Sequence, residues 1–120
     1  MNWLLVLIGG GLGSLCRYGL SVRMLPLKDN FPWPTFWANI VGCFFIGLVW
    51  QMSQKVELDW LKPLIIVGFL GGFTTFSSFG LESIYLIKVK SYGTLAAYVV
   101  GSNMVGLLCV YLGIRSASLL

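Results

Sequence analysis

Long stretches without a charged side chain constrain this sequence more than any other feature. Residues 1–16, 30–54, 63–81 and 91–114 contain no Asp, Glu, Lys or Arg, which gives runs of 16, 25, 19 and 24 residues. A helix that rises about 1.5 Å per residue needs about 20 apolar residues to cross the hydrocarbon of a bilayer. The pattern therefore predicts four membrane-spanning helices, of which the first reaches full length only if it includes Arg17.

The expected helices cover residues 2–22, 34–52, 62–88 and 91–114, most of the 120-residue chain. We therefore expect a single integral membrane domain over 1–120, an all-α, multi-pass protein of a cell membrane. The composition agrees, because only 10% of the residues are charged, whereas a soluble domain carries about 25%. The first segment lacks the positive residues that precede the apolar core of a cleaved signal peptide, so we interpret it as a retained helix.

The cationic residues do not favour one orientation of these helices. With four spans, the two sides of the membrane carry nearly equal sets, Lys55, Lys62 and Arg115 against Arg23, Lys28, Lys88 and Lys90. Orientation normally follows an excess of Lys and Arg on the cytoplasmic side. Either the chain inserts in both directions, or so few charges are too small a sample for the rule. Because the net charge of +4 is spread over both sides, we expect no nucleic-acid partner.

The third apolar segment has an unusual centre. Two adjacent glycines are followed by four hydroxyl residues interleaved with phenylalanines, in the order Gly71, Gly72, Phe73, Thr74, Thr75, Phe76, Ser77, Ser78 and Phe79. Paired glycines release the backbone, and Ser and Thr side chains satisfy backbone groups that an interrupted helix leaves free. We predict a helix over 62–88 with a break near 71–78, where free backbone groups can meet ions. The alternative is an unbroken helix whose hydroxyls bond to its own backbone.

Two other spans carry isolated polar groups. An unpaired amide in hydrocarbon is costly, so Asn39 in the second span either bonds a neighbouring helix or lines a water-accessible path. The fourth span places a row of small and hydroxyl residues on one face, namely Thr94, Tyr98, Ser102 and Gly106. This row is either a packing seam or a track of hydroxyl donors.

Small residues mark expected helix contacts. Gly9 with Gly13, and Gly68 with Gly72, have the four-residue spacing that is typical of close helix packing in membranes. The cysteines all fall within predicted spans without metal-ligand spacing, so we expect them to act as small packing residues, and they are Cys16, Cys43 and Cys109.

These side chains exclude several classes of function. The sequence has no His, and its spans hold no nucleophile–base or paired-carboxylate set, so we expect no enzyme. A proton-coupled pump usually needs ionisable groups at membrane depth, whereas Glu82 and Arg17 lie near span ends. Hydroxyls, amides, backbone dipoles and aromatic rings suit a passive path for a small ion. Phe76 and Phe79 share a helical face, and either present the positive edges of their rings to an anion or simply pack.

Three segments resemble the Fluc, or CrcB, family of fluoride channels, and together they span nearly the whole chain. The run from Gly9 to Tyr18 is similar to the glycine-rich first helix of that family, which ends in Arg-Tyr. The segment from Thr35 to Gly47 resembles its second helix, and the segment from Gly71 to Phe79 resembles its most specific signature. Two departures are Gly106, where some relatives place another hydroxyl, and Ser78, where Thr is more usual.

The resemblance implies an antiparallel, dual-topology homodimer in the plasma or inner membrane of a prokaryote, or a heterodimer with a paralogue. Its two pathways would export fluoride passively and so relieve fluoride toxicity. A central structural Na⁺ would be the cofactor, bound by backbone carbonyls of Gly71 and Thr74 from both subunits. Arg17 is placed near a pore entrance, and Glu82 just after the break.

The same resemblance implies roles for the residues along the ion pathway. Phe76 and Phe79 correspond to the pore phenylalanines whose ring edges meet fluoride. Asn39 corresponds to the pore asparagine, with Thr35 one turn before it. The hydroxyl track of the fourth helix consists of Tyr98 and Ser102.

Two other functions stay open at this point. A small multidrug-type exporter is also a short four-helix, dual-topology dimer, but it carries a carboxylate inside its first helix, and this sequence has no acidic residue before Asp29. The other is a non-conducting subunit of a heterodimeric channel. The presence of Asn39, Phe76 and Phe79 argues against that alternative.

Overall fold

The computed structural model describes residues 2–24 and 30–120, and the regular elements within these residues are all helical. Lys28, counted above among the cations of one side, lies outside the described residues. Helix α1 covers Asn2–Arg23 and α2 covers Trp33–Lys55. Helix α3 consists of Lys62–Leu70 and the turn Gly71–Phe73, and it is followed by α4, Phe76–Lys88, and α5, Tyr92–Ser118.

Four helical spans within the described residues are long and apolar enough to cross a membrane, namely Asn2–Arg23, Trp33–Lys55, Lys62–Lys88 and Tyr92–Ser118. The prediction of an all-α chain with four such spans is confirmed. The longest dimension of the molecule is 49 Å, which exceeds the roughly 30 Å of bilayer hydrocarbon. Helices α2 and α5 continue past their expected ends at 52 and 114, because helical hydrogen bonding does not stop where apolar residues give way to charged ones.

Local chemistry explains several helix ends. Helix α2 begins after Pro32 and has Pro34 in its first turn, where a missing N–H costs nothing. Between α4 and α5, Lys90 adopts a left-handed conformation with φ of 56°. The Lys90 N–H donates to the Ile87 carbonyl and the Ser91 N–H to the Leu86 carbonyl. These two hydrogen bonds form the Schellman motif that commonly ends a helix. This turn folds α4 back against α5.

Glycines bring α1 and α3 together backbone to backbone. A Cβ atom at Gly9 would overlap the Leu64 carbonyl, and one at Gly13 would overlap the Phe69 carbonyl. On the opposite helix, a Cβ atom at Gly72 would overlap the carbonyl of Gly10. The small-residue spacing in both helices therefore serves close packing, as the sequence indicated.

Helices α2 and α5 form the second close pair and run in the same direction. A Cβ atom at Gly47 would overlap the Val110 carbonyl, and one at Gly113 would overlap the Phe44 carbonyl. At the end of the pair, the Lys55 ammonium donates to the carbonyl of Ala117 at 3.0 Å. The molecule thus consists of two tight helix pairs, with α4 packed on α5, and the interrupted third span links one pair to the other.

Candidate functional site

The third span is interrupted at two residues near its centre. Thr74 (φ −84°, ψ 156°) and Thr75 (φ −152°, ψ 125°) are extended between the end of α3 and the start of α4. This interruption lies within the expected 71–78 and differs from the alternative of a continuous Ser/Thr-rich helix. A two-residue extended segment removes helical partners from the carbonyls before it and from the N–H groups after it.

Hydroxyl side chains cap the second half of the span. The Thr75 Oγ1 accepts a hydrogen bond from the Ser78 N–H at 3.2 Å and lies 3.2 Å from Ser77 Oγ and 3.3 Å from Ser78 Oγ. This is the usual N-cap arrangement of a threonine at a helix start. On the other side of the break, the Thr74 hydroxyl donates to the Leu70 carbonyl at 2.8 Å. The hydroxyl cluster of the sequence therefore supplies the caps that a break requires.

Asn39 of α2 binds the backbone of the break with both ends of its amide. The Thr75 N–H donates to Asn39 Oδ1 at 2.8 Å, and Asn39 Nδ2 donates to the Thr75 carbonyl at 3.0 Å. Of the two sequence alternatives for this amide, the structure shows a bond to the neighbouring third span, at its extended residue Thr75. The same residue also borders a groove of about 260 Å³, together with Thr74, Thr75 and Phe76.

Two residues of α1 bind the last turn before the break. The Arg17 Nε donates to the Gly72 carbonyl at 3.2 Å, and the Ser14 hydroxyl reaches the same carbonyl at 3.5 Å. Arg17, which the resemblance placed near a pore entrance, is thus part of the contact between α1 and the interrupted span. Its guanidinium lies close to a carbonyl that the helix no longer satisfies.

The carbonyls of Gly71 and Thr74 differ from their neighbours. Those of Gly72 and Thr75 accept side-chain hydrogen bonds, whereas those of Gly71 and Thr74 accept none from the described part of the chain. Uncharged carbonyl oxygens of this kind are suitable ligands for a hard cation. Within residues 2–24 and 30–120, no group of three or more His, Cys, Asp or Glu side chains could hold a metal ion.

Glu82 lies about two helical turns after the break and joins α4 to the pair formed by α2 and α5. Its Oε1 accepts a hydrogen bond from the Thr35 hydroxyl at 2.7 Å, and its Oε2 accepts one from the Tyr98 hydroxyl at 2.6 Å. Thr35 is 7% exposed and Tyr98 is fully buried, so these are short, charge-assisted bonds shielded from solvent. Glu82 also borders a second cavity of about 390 Å³, next to Asn30 and Pro32.

This three-residue cluster was not foreseen from the sequence. Thr35, Tyr98 and Glu82 were each singled out, but only as separate members of a pathway or as a residue after the break. A usable signal existed, because a lone carboxylate in an apolar span requires donors. Thr35 and Tyr98 are hydroxyl residues of the two neighbouring helices at matching depth.

Phe76 and Phe79 lie on one face of α4, as the sequence predicted, but they differ in environment. Their ring centroids are 5.6 Å apart with an interplanar angle of 36°. Phe79 packs on Tyr98 with centroids 5.0 Å apart, whereas Phe76 is 83% exposed within a single chain. Phe76 therefore borders the groove beside Asn39, and its ring is open to contact with an ion in the groove or with a second protein chain.

Ser102 belongs to the expected hydroxyl track of α5, and its hydroxyl is buried without a hydrogen bond to the described residues. Tyr98, one turn earlier on α5, is bound to Glu82. A buried donor without a partner is rare and requires an explanation.

Comparisons with known proteins agree on one family. The family model described as CrcB-like protein, Camphor Resistance (CrcB), matches residues 4–114. A "Fluoride-specific ion channel FluC" of Phocaeicola vulgatus is 40% identical over 113 residues, which cover 92% of this chain and 93% of the relative. Proteins of the same description from Methylobacillus flagellatus and Thermus thermophilus are each 43% identical, and cover 92% and 95% of this chain and 89% and 91% of their own length.

Proposed function

The chain belongs to the CrcB-like family, and on that premise we propose that it is a fluoride-selective channel that lets fluoride leave the cell passively and so relieves fluoride toxicity. The observation that carries the proposal is the break at Thr74 and Thr75, which collects uncharged backbone and side-chain dipoles at the centre of an apolar span. The relatives are ion channels, which confirms the expectation that this protein is not an enzyme.

The proposed pathway follows the groove between the break and α2 and continues past it toward the hydroxyl residues of α5. A small anion loses strongly bound water on entering a membrane, and fixed donors of the protein must replace that water. The hydroxyl of Ser102, which has no partner among the described residues, is a donor of this kind. The exposed ring of Phe76 and the ring of Phe79 would offer their positive edges. Asn39, Thr35 and Tyr98 complete the set, and their present hydrogen bonds hold them in place.

Arg17 and Glu82 have positioning roles in this proposal. Arg17 binds the Gly72 carbonyl and thereby fixes the end of α3. Glu82 binds the two hydroxyls of Thr35 and Tyr98, so that an anion must compete with a carboxylate for these donors. Such competition suits a passive path, because ions must be bound weakly enough to leave.

We further propose a structural Na⁺ held by the carbonyls of Gly71 and Thr74. Support comes from their lack of hydrogen-bond donors in the described residues and from the preference of hard cations for such oxygens. A bound cation would supply a fixed positive charge next to the anion path. Because two carbonyls of one chain are too few for a cation site, the remaining ligands would come from a second copy, in an antiparallel, dual-topology homodimer.

The decisive experiment reconstitutes the purified chain alone into liposomes loaded with fluoride or with chloride. We expect rapid fluoride efflux without nucleotide or a proton gradient, and chloride efflux no faster than from protein-free liposomes. Equal rates for the two halides would refute selectivity. Efflux that requires an imposed proton gradient would favour an exporter, and no efflux from a folded dimer would favour a non-conducting subunit that needs a paralogue.

A further inference from the structure

Helix α2 contacts the break through a notch at Gly42 as well as through Asn39. Gly42 is buried, lies three residues after Asn39 and borders the same groove. A Cβ atom at Gly42 would overlap the Cγ2 methyl group of Thr74. The next nearest atoms, Thr74 Cβ and Phe73 Cδ1, are both 3.7 Å from that position, which is ordinary contact distance. The notch therefore accommodates one group in particular, the methyl group of Thr74.

The Thr74 side chain is also held from the side of α3. Its hydroxyl donates to the Leu70 carbonyl at 2.8 Å, and the Thr74 N–H donates to the same carbonyl at 2.9 Å. A β-branched side chain has few rotamers, so a bound hydroxyl and a seated methyl group together fix its orientation. Gly42 is thus one of the contacts that fix the backbone of Thr74 at the end of α3.

The direction of the Thr74 carbonyl follows from the next hydrogen bond. The Thr75 N–H donates to Asn39 Oδ1 at 2.8 Å. The peptide bond that joins Thr74 to Thr75 is trans, and in a planar trans peptide the carbonyl points opposite to the N–H. The Thr74 carbonyl is therefore directed away from Asn39 and α2. It is one of the two oxygens assigned above to the proposed sodium ion.

We propose that Gly42 is a positioning residue for this sodium site. By admitting the Thr74 methyl group, Gly42 lets Asn39 reach the following N–H and so direct the Thr74 carbonyl away from α2, where the cation would bind. The inference rests on the proposed function, because it requires Na⁺ at the carbonyls of Gly71 and Thr74. A side chain at position 42 would push Thr74 off α2 and turn its carbonyl. Residues that orient metal ligands without touching the metal typically change metal affinity about 10- to 100-fold.

A cycle of single and double substitutions tests this role. Na⁺ that binds only the folded protein raises its melting temperature, so melting curves of protein purified without sodium give the half-saturating Na⁺ concentration. Choline chloride keeps the ionic strength constant. We expect Gly42→Ala to raise that concentration about tenfold or more. In a chain that already carries Thr74→Ser, which lacks the methyl group, Gly42→Ala should change it less than about twofold.

Thr74→Ser alone gives a readout that does not depend on a clash. It empties the notch without adding an atom, so the chain should fold, and the less firmly held carbonyl should raise the half-saturating Na⁺ concentration about threefold. Gly47→Ala on the same helix is the matched control, since a Cβ atom there would overlap the Val110 carbonyl of α5. We expect it to lower the melting temperature at every Na⁺ concentration and to leave half-saturation unchanged in both backgrounds.

Three results would overturn the inference. Half-saturation unchanged by Gly42→Ala would show that the notch is only a packing contact, as at Gly47. An equal rise with and without Thr74→Ser would mean that the Thr74 methyl group is not what Gly42 admits. Absence of any Na⁺-specific stabilisation in the wild type would remove the sodium site and this role together. Fluoride efflux from liposomes with the same protein then decides separately whether the channel function stands.

Discussion

Asn39 shows how a single side chain can stabilise an interrupted helix in a membrane. A peptide group that leaves its helix inside hydrocarbon has an N–H and a carbonyl to satisfy, and each unsatisfied group costs several kcal/mol. The Asn39 amide presents one acceptor and one donor side by side and binds both groups of Thr75. Apart from a protonated carboxyl group, only the amide of Gln offers this pair of groups.

Replacement of Asn39 tests this pairing. Asn39→Asp keeps the acceptor but loses the donor to the Thr75 carbonyl, so we expect lower thermal stability in detergent and fluoride efflux at least tenfold slower. Asn39→Ala loses two hydrogen bonds, about 1–3 kcal/mol in total. Asn103→Ala is the matched control for Asn39→Ala, since Asn103 is exposed and bonds only the Val99 carbonyl of its own helix. Equal effects at positions 39 and 103 would contradict the pairing.

Glu82 binds its two hydroxyl donors tightly enough to contribute to stability. A hydrogen bond to a charged group contributes about 1.5–3 kcal/mol. We therefore expect Tyr98→Phe, which removes one of these donors and little volume, to lower the melting temperature by several degrees. Tyr111→Phe on the same helix should leave it unchanged, because Tyr111 is exposed. A Tyr98→Phe protein that melts like wild type would show that this bond is not a stabilising one.

At this scale the sequence identified the polar residues but not their partners. Asn39, Thr35, Tyr98 and Glu82 were all recognised as unusual in an apolar chain. Which groups they bind depends on the relative rotation and depth of α2, α4 and α5, and sequence spacing within one helix does not contain that information. The proposed ion-pathway roles of Asn39, Thr35 and Tyr98 stay predictions, and so do the sodium-binding roles of Gly71 and Thr74.

Among the elements, the contact between α1 and α3 depends on the absence of side chains. Because Gly9, Gly13 and Gly72 each lie against a backbone carbonyl of the other helix, the two helices approach as closely as backbones allow. Such contacts gain dispersion energy and lose little side-chain entropy, which is how helices associate in lipid. The approach also places Arg17 within reach of the Gly72 carbonyl.

Two alanine substitutions in one helix separate this packing from helix propensity. Gly13→Ala would push a methyl group into the Phe69 carbonyl and should cost about 1–3 kcal/mol, with loss of efflux. Gly11→Ala meets no atom within 4 Å and should stabilise by about 0.5–1 kcal/mol, because alanine favours the helix. Melting temperatures in detergent measure both. Destabilisation by Gly11→Ala comparable to that by Gly13→Ala would contradict the packing argument.

The elements themselves follow closely from charge-free length and glycine spacing. The break was predicted because paired glycines and hydroxyls are chemically suited to one. The π-helical turns of Lys62–Leu70 were not predicted, since such turns are rare and have no clear residue preference. The pattern of apolar residues predicts the length of a span. It does not show whether the backbone hydrogen bonds within the span join residues four apart, as in an α-helix, or five apart, as in a π-helix.

For the whole molecule, the proposed antiparallel dimer makes a geometric prediction. In a two-fold symmetric pair, equal positions meet only near the symmetry axis. Gly71 is exposed and has room for a side chain, so Gly71→Cys in a chain with its other cysteines changed to serine should crosslink to itself readily. Trp3→Cys, also exposed, should not, because antiparallel chains place their first residues on opposite faces of the membrane.

Two crosslinking results would contradict the proposed antiparallel dimer. Efficient crosslinking through position 3 would indicate parallel chains and would refute dual topology. Absence of crosslinks at position 71, in protein that elutes as a dimer, would move the axis away from the break and remove the support for a shared sodium site. Both measurements use denaturing gels after mild oxidation and require no activity.

The pairing of Asn39 with Thr75 also has a consequence for biosynthesis. A ribosome releases α2 before it releases the third span, so the amide of Asn39 is already in the bilayer when the interrupted segment enters. Thr75 can then bond to Asn39 as soon as the third span inserts, so its polar backbone groups are not left unpaired in lipid. A circular permutant that places α2 at the C-terminus would reverse this order, and we expect it to be degraded during synthesis even though its finished fold would be the same.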